Sequence, residues 1–348
     1  RQEKSQASQA MPQNPRFRGT STRGAALAGG RPLMLAIMCV VSDRADVSKW
    51  GNSMSDMILL GTRKGTIIFD RIHSNWRPRP IVHAGIPVCY AARDPRDGTL
   101  WASLDHGHWG PKLARSGDGG ATWEDVTAIK YPAGARYIVK YLPTPDFDPA
   151  APSARPEYAD ASVYKIWTIA FGPASQPGRL YAGTIPGGLF VSDDGGDNWE
   201  LNRPLWNHES RGGDLFAGDA TTENRWHGTP ASIDYGVFEP GIHSILVDPR
   251  DADHVHVAVS TAGVIETTDG GRTWAARNRG MLMDYLPNAA ADWGHDPHFV
   301  TGCPGQPDHL WQQNHCGVFY SDDASAAMGK PKCTPASGML TFFQLCAP

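Results

Sequence analysis

The side chains in this 348-residue chain with the most chemistry to offer are its histidines and their neighbours. Asp105-His106-Gly107-His108 puts a carboxylate and two imidazoles within four residues. His243, His298 and the pair Asn314-His315 add hydrogen-bonding groups, Arg63-Lys64 supplies two adjacent cations, and Trp167 a flat apolar ring. Cations, neutral imidazoles and a carboxylate together suit an anionic or hydroxyl-rich ligand through charge-assisted hydrogen bonds. Metal-ligand spacing is recognised only at Asp105-His106-Gly107-His108, and a divalent site there needs His243 or His298 to converge on it. No metal and no other cofactor is expected.

A second set of acids is regular enough to identify the elements that hold everything else. Ser116-Gly-Asp118-Gly-Gly120-Ala-Thr122-Trp123, Ser192-Asp-Asp194-Gly-Gly196-Asp-Asn198-Trp199 and Thr267-Thr-Asp269-Gly-Gly271-Arg-Thr273-Trp274 are one phrase written three times. Their acids are 76 and then 75 residues apart, and a fixed long period marks a repeat architecture. Glycines supply the positive φ of a tight turn, and Asp with a hydroxyl residue can hydrogen-bond that turn's own backbone. The Trp opens the return strand and is large enough to wedge between sheets. These acids are read as structural, with the three tryptophans expected to be buried between sheets.

Around each phrase lies a larger unit. Residues 166–202 contain four short strand-like runs, A to D, separated by turn residues, with the Asp phrase between C and D. Residues 241–276 and 88–126 repeat the scheme, including the turns Asp248-Pro-Arg-Asp and Asp94-Pro-Arg-Asp. A fourth copy, from His298 to Asp323, lacks the glycine and the Trp of its phrase, and residues 57–76 supply B, C and D runs without an A. Four antiparallel strands repeated in series describe an all-β propeller of about five visible blades.

The three phrases, with Pro186-Gly-Gly-Leu-Phe-Val-Ser-Asp-Asp-Gly-Gly and Leu310-Trp-Gln-Gln-Asn-His-Cys-Gly-Val-Phe, resemble the Asp-box (BNR) repeat propellers, most nearly the bacterial sialidase-like or glycosyl-hydrolase-like proteins. The resemblance runs from about Met57 to Asp323. It implies a fold rather than an activity, because receptors and assembly factors share the box. Sialidases of the family hold a substrate carboxylate with three arginines. Here Arg77-Pro-Arg-Pro80 is only a faint echo of their Arg-Ile-Pro signature, and the expected rim carries one Arg.

The expected domains are a disordered or non-native leader at 1–53, the propeller at 54–325 and a non-propeller tail at 326–348, with the ring truncated or open at its C-terminal end. A net charge of −4 gives no case for nucleic acid. The apolar run 32–41 is too short to span a bilayer, and the six cysteines form no CxxC pair or dense framework. A cytoplasmic monomer with no membrane partner is the resulting expectation, with export through the run 32–41 as the alternative.

Antiparallel connectivity sorts the loops into two ends. Asp phrases are C–D turns and share one end with the A–B turns. The B–C turns and the long D–A connections, about 127–163 and 203–240, share the other, where binding is expected. Strand A lines the channel, so its first residues and the B–C turns form a rim of Arg63, Lys64, Asp105, His106, His108, Trp167, His243, His298, Asn314 and His315. This rim is expected to bind a small polar ligand, with carbohydrate the leading class. Glycoside hydrolysis on the same face is the second reading and a protein-assembly scaffold the third.

Overall fold

The runs Leu100-Trp-Ala-Ser-Leu, Leu180-Tyr-Ala-Gly-Thr and Val255-His-Val-Ala-Val do not alternate polar with apolar, as a strand buried on both faces need not. In the computed structural model all fifteen of these residues are buried. The structure describes residues 56–143, 154–217, 224–226, 240–282, 288–303, 305–314 and 316–324. Contacts divide the chain into Arg1–Leu35 and Ala36–Pro348, and every described residue belongs to the second unit. The expected leader, 1–53, and tail, 326–348, lie outside the described residues.

The described strands form five blades of a β-propeller. The first is β1 (Met57–Thr62), β2 (Gly65–Ile72) and β3 (Asn75–Pro78). The second has four strands, β4 (Val88–Arg93), β5 (Leu100–His106), β6 (Gly110–Ser116) and β7 (Glu124–Asp125). The hairpin β8 (Arg136–Pro143) and β9 (Ala154–Asp160) follows. The third blade is β10 (Lys165–Phe171), β11 (Leu180–Ile185), β12 (Leu189–Ser192) and β13 (Glu200–Leu201). The fourth is β14 (Ile242–Val247), β15 (Val255–Val259), β16 (Gly263–Thr267) and β17 (Ala275–Ala276), and the fifth β18 (Pro297–Cys303), β19 (Gln306–Asn314) and β20 (Gly317–Ser321). Every pairing within them is antiparallel between strands consecutive in the chain. Innermost strands β4, β10, β14 and β18 pack side by side in that order. Strand β1 meets β4 as β5 meets β10 and β11 meets β14, so it occupies a B position.

The core lies between blades. Leu59 and Ile68 of the first blade pack with Val88, Leu100 and Ala102 of the second. Trp101 and Leu113 pack with Ile166, Leu180 and Phe190 of the third, which passes Tyr181 and Leu189 to Ile242, Val257 and Ile265 of the fourth. A leucine or phenylalanine buried this fully stabilises by about 1.5–3 kcal/mol. Each described outermost strand of the second, third and fourth blades is only two residues long and partly exposed, which keeps the unpaired sheet edge short.

The Asp phrases form three matching turns. Ser116 Oγ donates to Asp118 Oδ1 (2.8 Å) and accepts from Gly120 N (2.8 Å). Asp118 also accepts from Ala121 N, Thr122 N and Thr122 Oγ1 at 3.0, 2.9 and 2.6 Å. Asp194 and Asp269 take the same bonds from Ser192 and Asn198, and from Thr267 and Thr273. The second glycine tucks against the preceding blade: with φ at 93°, Gly196 has no room for a Cβ, which would stand 2.7 Å from the Trp101 ring. Arg79 donates to Gly119 O, Arg115 to Gly195 O and Asn202 to Gly271 O, so each turn is also clasped from the blade before it.

Two of the three tryptophans depart from expectation. Trp274 is buried as expected; its indole Nε1 donates to Asn202 Oδ1, and the His208 imidazole contacts its carbonyl. Trp123 and Trp199 are only half-buried, packed on the preceding blade from one side. In the fifth blade Ser321 Oγ still donates to Asp323 Oδ1 (2.6 Å), but Ala324 adopts φ 56° where the other turns have glycine.

Candidate functional site

At the end opposite the Asp turns, each of the four innermost strands carries a β-bulge at the same place. Register slips between Val88 and Tyr90, Ile166 and Thr168, Ile242 and Ser244, and Pro297 and Phe299. The residues skipped are Cys89, Trp167, His243 and His298. A bulge leaves its extra residue out of the ladder and re-aims its side chain. All four are half-exposed although each follows a buried residue.

Three of them form a continuous series of rings. Trp167 and His243 have centroids 3.8 Å apart at 36°, and His243 and His298 are stacked at 5.6 Å and 25°. Gly241 makes the first contact possible, since a Cβ there would run into the Trp167 ring. Gln313 Nε2 lies 3.3 Å from His298 Nδ1, and Asp296 Oδ2 is 3.8 Å from His298 Nε2. Asp296 also accepts weakly from the amide of Thr261, a β-branched residue held at φ 60° in the B–C turn of the fourth blade. A left-handed threonine is an uncommon strain that concentrates at functional positions.

Next to Trp167, Lys165 Nζ lies 3.8 Å from Asp105 Oδ2. That ion pair joins the start of β10 to the end of β5, at the B–C turn of the second blade, where His106 Nδ1 accepts from Trp109 N at 3.4 Å and the His108 ring meets Trp109 edge-on at 4.7 Å. Trp109 is 68% exposed and Tyr164, beside Lys165, 61%. Cys89 is near enough to feel both charges: burial pushes its thiol up, Lys165 pulls it down and Asp105 raises it, with a net upward shift.

Described residues of the two insertions pack together. Tyr137 and Ile138 of β8 cluster with Leu215 and with Trp206 of helix α1 (Arg203–Trp206). The first insertion, read from sequence as a loop, is thus built around a hairpin whose apolar residues cover the second. Arg211 is buried between the Trp206 and Trp226 rings, 3.9 and 4.6 Å from their centroids, and donates to Gly187 O in the third blade's B–C turn.

Of the residues expected at the rim, the structure therefore brings Trp167, His243 and His298 into contact and puts Asp105, His106 and His108 in the adjoining turn. Arg63 and Lys64 are exposed in the β1–β2 turn at the same end. Asn314 is buried, accepting from Cys316 N, so its role at an open rim is not what its position suggested. His315 lies outside the described residues. Sequence reading missed Cys89, which alignment of the four A strands would have exposed. It also missed Lys165 and Asp296, whose roles depend on the rings' placement. Arg79, in the faint arginine signature, is committed to Asp70 and the neighbouring Asp turn.

The reading of metal-ligand spacing also needs correction. Among the described residues the convergent set is not at Asp105-His106-Gly107-His108 but at His254, His256 and Glu266, whose ligand atoms all lie within 4.8 Å of one another. The acid arrives from the next strand, so spacing along the chain does not reveal it.

No family model matches the chain. Among curated proteins it is 26% identical over 235 residues to a probable oligoxyloglucan-reducing end-specific xyloglucanase of Neosartorya fischeri, covering 61% of this chain and 26% of the relative. The chain thus spans about a quarter of that relative's length. Among solved structures it is similar to an ancestral GH74 enzyme, at 14% identity and TM-score 0.41 over 70% of this chain and 24% of the other. It is also similar to the GH74 xyloglucanase of Xanthomonas campestris, at 14% identity and TM-score 0.37 over 81% and 43%.

Proposed function

We propose that the chain is an Asp-box (BNR) propeller that binds a carbohydrate along the rim formed by Trp167, His243 and His298. The observation that carries this reading is the ring series itself, three aromatic side chains on three successive bulges, with Trp109 and Tyr164 exposed beside it. Aromatic faces pack against the C–H face of a sugar, while imidazoles, Asp105 and Lys165 offer donors and acceptors for its hydroxyls. The name of the curated relative supports a xyloglucan oligosaccharide as the first ligand to try. Sialic acid is disfavoured, because Arg63 is the one arginine proposed for the rim.

Isothermal titration with xyloglucan oligosaccharides, and with sialyllactose as the contrast, tests this. Saturable binding of the neutral oligosaccharide is expected, and Trp167→Ala should weaken it about tenfold, the loss of one aromatic contact of roughly 1.4 kcal/mol. Absence of binding to any neutral glycan would refute the proposal. The second reading, hydrolysis at the same rim, draws on the relative's name and on Asp105 and Asp296, since glycosidases work with two carboxylates. Release of reducing ends from a bound oligosaccharide supports it; binding without release leaves a binding module.

A further inference from the structure

The fourth blade breaks its own repeat at three adjacent positions on the end remote from the rim. Register aligns Val255 with Leu100, Leu180 and Leu310 in the other blades. His256 then stands where they have Trp101, Tyr181 and Trp311, and Glu266, paired with it across β15 and β16, stands where they have Arg115, Val191 and Tyr320. An aromatic wedge has been replaced by an ionisable pair, with His254 added two residues before His256.

The three side chains meet at one point. His254 Nε2 lies 2.8 Å and His256 Nε2 3.2 Å from the same oxygen, Glu266 Oε1. Tetrahedral zinc with bonds of about 2.0–2.1 Å separates its ligand atoms by about 3.3 Å, so a small outward movement of these groups admits a metal. Two outer groups stand beside them, Asp248, whose oxygens also accept from Arg250, and Arg277. Asp248 Oδ2 lies 3.5 Å from His254 Nδ1, the carboxylate–histidine arrangement that fixes a ligating ring, and Arg277 holds the other Glu266 oxygen, Oε2. Glu266 and His256 are 6% and 4% exposed at their side chains. Asp248, His254 and His256 also line a cavity of about 180 Å³ between the fourth and fifth blades, walled otherwise by Leu246, Leu310 and neighbours. Room remains there for a water or a small anion in a fourth position.

We propose that His254, His256 and Glu266 form a divalent-metal site, selective for Zn²⁺, with Asp248 as its positioning residue and the interblade cavity as its open coordination position. The site is separate from the proposed carbohydrate rim and does not depend on it. Titrating the chelator-stripped full chain with Co²⁺ is the direct test. One equivalent should bind with the intense visible absorption of tetrahedral cobalt, and Zn²⁺ should displace it. Asp248→Asn should weaken Co²⁺ binding about 10–100-fold, and His256→Gln more than that. His298→Ala, at the rim, should leave it unchanged. A wild-type titration that yields no tetrahedral spectrum overturns the proposal without reference to any variant, as does binding that survives His256→Gln undiminished. In either case the three groups are a buried ion-pair network and nothing more.

Discussion

The two ends of the propeller treat equivalent positions in opposite ways. At the Asp end, Asp118, Asp194 and Asp269 sit in three turns with the same hydrogen bonds, and each turn is clasped by the preceding blade through Arg79, Arg115 or Asn202. At the rim the four equivalent bulges carry Cys89, Trp167, His243 and His298. Backbone geometry is preserved there while side-chain chemistry changes. Repetition of a side chain marks what every blade needs to stay joined. Divergence on a preserved backbone marks what the blades need only jointly, and it is on this contrast that the rim is chosen.

Breaking the repeated end should cost most. Gly196→Ala puts a Cβ against Trp101 at φ 93°, combining a left-handed penalty of about 1–2 kcal/mol with overpacking of about 1–3 kcal/mol. Denaturant unfolding should show a loss of about 2–5 kcal/mol. A change within error would mean that the turns do not join the blades.

Acid should loosen the same end next. Hydrogen bonds from Asn198 and Ser192 hold the Asp194 carboxyl down at about 2, and those from Thr122 and Thr273 depress Asp118 and Asp269 similarly. A carboxylate whose folded pKa is depressed contributes stability above its unfolded value, near 3.8, and loses it as pH falls through the folded one. Melting temperature should therefore decline between about pH 4 and 2, and Asp194→Asn should flatten that decline. A variant that melts in parallel with the wild type across this window would contradict the assignment.

The smallest effect belongs to the decayed fifth turn. Ala324 occupies a left-handed conformation, and Ala324→Gly should raise stability by about 0.5–1 kcal/mol, the relieved strain less the entropy glycine returns to the unfolded chain. A fall would show that the fifth turn differs in kind from the other three.

Much of this organisation is legible in sequence because it is local. Asp, Gly and Thr/Asn at fixed offsets specify a turn, and continuous apolar runs bounded by turns specify doubly buried strands. The position of β1 as a B strand also follows from its lack of a preceding run. What sequence conceals is set by contacts between blades. The half-exposure of Trp123 and Trp199, against the burial of Trp274 beside Asn202 and Leu205, depends on what the preceding blade presents to each ring. The bulges exist only in register with a partner strand, so Cys89 passes as an ordinary strand residue. Glu266 joins His254 and His256 across a strand pair, invisible to any spacing rule.

The contrast between ends is tested most directly by thermal melts of three proteins, each with and without saturating xyloglucan oligosaccharide. A ligand at 100 times its dissociation constant stabilises by about 2.7 kcal/mol. Wild type and Gly196→Ala should both gain several degrees on addition of the sugar, the latter from a lower starting Tm. His243→Ala should start within a few degrees of wild type and gain nothing. If His243→Ala gains as much as wild type, or starts as low as Gly196→Ala, the rim is not the site and its divergence has another cause.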